Sequence, residues 1–345
     1  MTPTFRISAG SGDITAAVKD RLLEIEVIDE AGIESDSVKI SLDDRRREDG
    51  GIAQLPSIGT KLSVSLGYLE SSLIKMGTYI VDEIEIRTPP RTLDVMAKAA
   101  DMTGSFRSPK TRSWDDEDDL EPLTLGRIVR VIAQENGYIP KVDPALASIR
   151  YDHLDQTEES DMSFLTRLAD KADAIAKPVD GFLLLYDKSS VKSVSGSDVP
   201  ETTLTEDMLI EWSYRYSARK PAGKVSSDDS GDTPTVTGGI KAYWWDYAKA
   251  ERQEITIGKE PFEVLRHVYS TKLDADRAAK AKKNTGDRLQ GELSFSLPGN
   301  PHLMAGGILT ISLRQGIPSR WRMTRIEHRL NSSGYVSRVE CERFN

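Results

Sequence analysis

The densest group of side chains able to move a proton or hold a metal lies in YDHLDQTEESDMSFLTRLADKADA, with His153, Asp155, Glu158, Glu159 and Asp161 in close succession. A pair of carboxylates can hydrolyse a glycosidic bond, one as acid and the other as base or nucleophile. A histidine beside aspartates can also ligate a metal. The residues that follow favour a simpler reading. Phe164, Leu165, Leu168, Ala169 and Ala172 recur at helical spacing and mark one buried face. Ser160 is placed to cap that helix, Asp161 to face the positive end of its dipole, and Glu158 and Glu159 to lie just outside it. A helix start thus accounts for the acidity without chemistry; the carboxylate pair and the metal set stand as alternatives.

Other candidates are weaker. WDDEDDLEP gathers carboxylates beside Trp114, but it lacks the alternating ligands and sharp-turn glycine of a calcium loop and reads as a solvated acidic linker. Arg45–Arg47 is a solvated charge run that could meet a partner's acidic rim. Tyr243, Trp244, Trp245 and Tyr247 could stack on sugars or bases, or pack a strand against a neighbour. Phosphate-cradling glycine loops, the nucleophile elbow and the zinc-helix spacing are all missing. Cys341 is the single cysteine, which rules out an intrachain disulfide and a cysteine zinc cluster and fits a reducing compartment. The sequence assigns no catalytic residue, cofactor or metal ligand.

The elements that would position these residues are mostly strands. The chain of 345 residues is 38% hydrophobic and 29% charged, enough for real cores, and its net charge of −9 argues against a duplex nucleic-acid binder. No basic, apolar leader opens it, and no run approaches the ~18 apolar residues of a membrane helix. Residues 1–108 read as a first β domain: in RLLEIEVIDE, Leu23, Ile25 and Val27 alternate with Glu24 and Glu26, and Ile28 follows. Turns are expected at Ala31–Gly32, Asp49–Gly51, Pro56–Gly59 and Pro89–Pro90. Residues 109–180 form a mixed, helix-containing insertion, with a helix after Thr124 that stops at Gly137. Residues 181–345 read as a second β domain, with one alanine-rich helix near 274–289, a mobile loop near 218–239 and four strands in the tail. The fold class is α+β and mainly β: two barrel-like β domains with a helical insertion between them.

Taken in order, VDEIEIRTPPRTLDVMAKAADMTGSFRSPKTRSW, LGRIVRVIAQENGY, QTEESDMSFLTRLADKADAIAKPVDGFLLL and LPGNPHLMAGGILTISL resemble the phage late control gene D proteins, across nearly the whole chain. These are the tail-hub or baseplate-hub proteins of contractile-tailed phages, the Mu-like ones included. The resemblance implies a fold like the N-terminal part of type VI secretion spike proteins. It also implies a homotrimer whose two tube-type domains per subunit make a pseudo-sixfold ring, with the helical insertion outside it. Such a ring adapts a hexameric tail tube to a trimeric spike. Further partners are other baseplate proteins, and DNA is only transient cargo. The expected location is the virion tail baseplate, assembled in the host cytoplasm, with no membrane partner, no cofactor and no catalytic step. Two readings from other classes remain: a peptidoglycan-degrading tail enzyme using Glu158, Glu159 or Asp161, and a carbohydrate-binding module using Trp244 and Trp245.

Overall fold

The computed structural model of the chain describes residues 1–10, 12–32, 34–46, 53–99, 105–115, 122–179, 181–190, 199–217 and 238–344. The turn expected at Asp49–Gly51, the carboxylates from Asp116 onward, Arg47 and residues 218–237 of the expected loop lie outside them.

The first block runs β1 (Pro3–Ala9), β2 (Gly12–Asp13), α1 (Thr15–Lys19), β3 (Leu22–Glu30), β4 (Ser37–Asp43), β5 (Lys61–Tyr68), β6 (Ile74–Arg87) and β7 (Thr92–Lys98). The insertion follows: β8 (Pro109–Asp115), α2 (Leu125–Glu135), β9 (Ile139–Val142), α3 (Pro144–Ala147), β10 (His153–Ser160), α4 (Asp161–Lys171), β11 (Ala174–Val179) and β12 (Phe182–Asp187). The second block opens with β13 (Glu201–Thr205) and β14 (Glu211–Tyr216). It makes an excursion through β15 (Gly239–Asp246), β16 (Glu251–Gly258), β17 (Phe262–Tyr269) and α5 (Lys272–Arg288). It closes with β18 (Gly291–Pro298), β19 (Ile308–Ser312), β20 (Arg320–Asn331) and β21 (Gly334–Arg343).

The chain is mainly β with a helical insertion, as the sequence predicts, and the tail has the four expected strands. The two β blocks are nonetheless joined. The long β20 pairs with β21 on one side and with β3 on the other, from Arg325↔Glu30 to Asn331↔Glu24. The result is one 13-stranded sheet with the main order β14-β18-β21-β20-β3-β4-β7-β6-β5-β1-β2. Among the described residues it is open and closes into no barrel.

Alternation along these strands sorts side chains onto two faces. Ile25, Val27, Ile40, Val64 and Val95 fill the first core, and Phe295, Ile311, Trp321, Ile326 and Val339 fill that of the second block. Leu23 departs from the expected pattern. A bulge between the Leu22↔Leu42 and Glu24↔Ser41 pairs leaves it as the extra residue, and it is 42% exposed. The insertion has its own core, in which Ile128, Ile132, Phe164, Leu168, Leu183 and Leu185 pack together. Thr124 caps α2 by accepting from the Arg127 amide at 3.1 Å, and the chain turns away from this helix at Gly137 with φ 73°. A fourth, small core lies under α5, where Ala275 and Ala279 meet Ile240 and Ala242 of β15.

His328 of β20 is fully buried on the core face. Its Nδ1 lies 3.0 Å from Ser337 Oγ and 2.9 Å from the Tyr335 hydroxyl. Burial pushes its pKa down to about 4. An unfolded chain binds this proton near pH 6.5, so between about 4 and 6.5 the unfolded state carries more protons. His328 therefore supports the fold fully above that window and loses its contribution as pH falls through it. Relative to His328→Asn, the wild-type urea midpoint should drop between pH 7 and 4.5 by the equivalent of at most about 3 kcal/mol.

Candidate functional site

The acidic cluster resolves into structure. Ser160 has extended backbone angles and accepts from the Ser163 amide at 3.2 Å, so α4 begins where the sequence predicts. Asp161 is fully buried and does more than face the dipole. Its Oδ1 accepts from Arg112 Nη2 and Gln156 Nε2, both at 2.9 Å. Its Oδ2 accepts from Lys110 Nζ at 2.6 Å and Asn136 Nδ2 at 3.0 Å. Burial acts to raise its pKa, but the Gln156, Lys110 and Asn136 hydrogen bonds and the Arg112 charge outweigh it, and the carboxyl is held below its ordinary value. With four donors on two oxygens, this carboxylate is fully used as an acceptor. Glu135 bridges the same two cations, 3.1 Å from Lys110 and 2.7 Å from Arg112.

The other members of the group point elsewhere. Glu159 pairs with Arg167 at 2.7 Å. Glu158 is exposed at a bulge with φ 47°, its amide donating to Thr111 Oγ1. His153 sits at the far end of β10, exposed, between Asp115 and Asp155. The nearest sizeable cleft takes Met162, Ser163 and Thr166 into its wall and none of these five residues. No group of three or more His, Cys, Asp or Glu among the described residues could hold a metal ion. Trp114 stacks on Phe164 with ring centroids 5.8 Å apart, and the Arg112 guanidinium lies 4.3 Å above it.

The aromatic group also divides. Trp244 joins the core beneath α5, whereas Trp245 is 40% exposed on the other face of the three-stranded sheet. Tyr243 is covered by Arg252 at 4.2 Å. Trp244 and Trp245 therefore cannot form one sugar-stacking platform, because neighbours along a strand face opposite ways.

The feature spanning both β blocks is the face of the large sheet opposite the cores. Residues paired across strands share a face, and three successive rows there are polar almost throughout. One row is Asn331, Glu24, Ser41, Asp94 and Glu85. The next is Arg329, Glu26, Lys39, Met96 and Glu83. A third runs Glu211, Ser296, Arg338 and Glu327 into Ile28, Ser37 and Lys98. Carboxylates crowd around single cations: Arg329 lies 2.6 Å from Glu327, 2.8 Å from Glu26 and 3.8 Å from Glu24. Burial and the nearby Glu26 raise the Glu327 pKa against the pull of Arg329. The alternation of Glu24 and Glu26 with Ile25 and Val27 was the sequence signal for this face. The sequence did not reveal that it continues across the β20–β3 junction.

The sheet's two ends differ. At the β1 end, Pro3 lacks an amide hydrogen, and the Ile7 backbone is taken by Thr15 Oγ1 at 2.9 Å and the Ile14 amide at 3.0 Å. At the β14 end, Met208, Ile210 and Tyr216 are 50%, 61% and 58% exposed.

Comparison with known proteins joins this architecture to phage tails. The chain is 31% identical to the probable baseplate hub protein of Escherichia phage 186 over 99% of its own length and 93% of the relative's. It is 30% identical to that of Escherichia phage P2 over the same shares. The chain belongs to the phage baseplate hub family. Solved structures share its fold. The 43 kDa tail protein of prophage MuSo2 from Shewanella oneidensis superposes with TM-score 0.71 at 12% identity, covering 99% of this hub and 98% of that chain. The Escherichia coli type VI secretion component c3393 gives TM-score 0.55 at 10% identity, over all of the hub and 77% of that chain. No protein-family model matches the sequence. The hub thus has the tail-protein and type VI fold that the resemblance implied, and its place is the phage tail.

Proposed function

We propose that this hub works by assembly alone. Three copies close into a ring that adapts the hexameric tail tube to the trimeric spike, and DNA passes through it as transient cargo. The continuous sheet with one polar face carries this reading. A sheet that buries its cores on one side and keeps a charged ladder on the other suits the wall of a wet conduit. The carboxylate excess around Arg329 would repel passing phosphates. The β14 end meets the next copy, since an edge that no other described strand covers, with exposed Ile210 and Tyr216, invites strand pairing. The helical insertion stands outside the ring, and other baseplate proteins complete the assembly in the host cytoplasm. No catalytic step is needed. The saturated Asp161 and the dispersed Glu158 and Glu159 count against peptidoglycan cleavage. The native mass of the purified hub, alone or with its spike protein, should show three times the 38.3 kDa chain. A chain that stays monomeric under both conditions would refute the ring.

A further inference from the structure

The insertion and the first β block keep separate cores. The first takes in residues between Phe106 and Leu185, and the second draws on residues up to Ala97 plus Leu330 and Tyr335. Among the described residues, polar contacts join them. Lys177 of β11, 5% exposed, reaches the β3–β4 turn, where its Nζ lies 2.6 Å from Asp36 and 3.8 Å from Asp29 and also donates to Glu30 O. Tyr186 of β12 donates to Ala31 O at 2.8 Å. Asp29 Oδ2 also accepts from the Ala305 amide at 2.8 Å, so all three parts of the chain meet here. Beside this contact the two modules stand apart around a cleft of about 820 Å³, with Ser35, Ser37 and Lys98 on one wall and Met162, Thr166 and Lys171 on the other.

We propose that this seam is a releasable latch, in which one lysine holds two carboxylates and the unbalanced negative charge lets the insertion part from the β block with both cores intact. The surrounding charges leave the imbalance in place. Arg325 of β20 is engaged by Glu30 at 2.7 Å, Glu34 and Glu340 add negative charge near that pair, Tyr186 is a phenol held neutral by burial, and Arg322 of β20, the cation facing Tyr186, donates to Ser190 O and is drawn to Glu342. A second anchor of the insertion is built around Arg288 of α5, which bonds Asp173 with Nη1 at 3.1 Å and lies 3.7 Å from Glu342, while Asn284 adds a bond to Asp173 at 3.0 Å. Burial and the neighbouring Asp36, opposed by Lys177, push Asp29 up to about 6. Because the folded value exceeds the unfolded one of about 3.9, the docked state takes up a proton as pH falls from about 6 to 4, and docking tightens.

Hydrogen exchange of the full-length hub tests the latch, with rates expressed as protection factors. At pH 7.5, Asp29→Asn keeps the acceptor for Ala305 and removes the excess charge. It should raise protection of the β11 amides at least about tenfold, which is one pKa unit's worth of coupling, and leave β4 and β7 unchanged. At pH 5 the wild type should match the variant. Lys177→Met should lower β11 protection at pH 7.5. If that variant does not fold, Asp29→Asn decides alone. Unchanged or lower β11 protection in Asp29→Asn would overturn the proposal, because the Asp29 charge would then be holding the seam shut.

Discussion

Asp161→Ala should destabilise the hub by about 3–5 kcal/mol, the usual cost of leaving buried partners of an ion pair uncompensated. Lys110, Arg112, Gln156 and Asn136 all donate to this one carboxylate, and its removal leaves Glu135 alone to balance two partly buried cations and leaves the Gln156 and Asn136 donors short of an acceptor. The loss should appear first in the insertion, as a lower urea midpoint and early exposure of Trp114, which stacks on Phe164 one turn into α4. Glu159→Gln touches a pair in which Arg167 is 37% exposed and should change stability by less than about 1 kcal/mol. A hydrolase would show the reverse weighting: both variants would stay folded, and one would lose activity on sacculi.

Replacing Ile210 and Tyr216 together by lysine should leave a folded chain in which the proposed self-association is weakened. Both side chains are more than half exposed at the β14 end, so the subunit core does not depend on them. The Ser217 amide donates inward to Gln290 O, so strand alternation turns the Tyr216 amide outward, away from β18, where no other described strand pairs with β14. Edge lysines are a common natural block to such pairing. Loss of an interface anchor is worth about 2 kcal/mol or more, so self-association should weaken at least about 30-fold, read as native mass against concentration. An unchanged oligomer would move the contact to another edge.

Local features were legible in the sequence and long-range ones were not. The start of α4 followed from Ser160 and the spacing of Phe164, Leu165 and Leu168, all within one helix. The role of Asp161 did not, because Lys110, Arg112 and Asn136 lie 51, 49 and 25 positions away. Alternation in β3 showed a polar face, but only the pairing of β20 with β3, across about 300 residues, joins that face to the second block. Trp244 and Trp245 look like one platform in sequence and are divided by the pleat. The resemblance to tail hubs rested on the order of several segments along the chain, which is why it reached the family when no single motif did.

Electron cryomicroscopy of the assembled hub tests the central claim most directly. A threefold ring is expected, with Glu24, Glu26, Glu327 and Arg329 facing a water-filled lumen and the insertion on the outside. A ring that turns these residues outward, or buries them against a partner, would contradict the account.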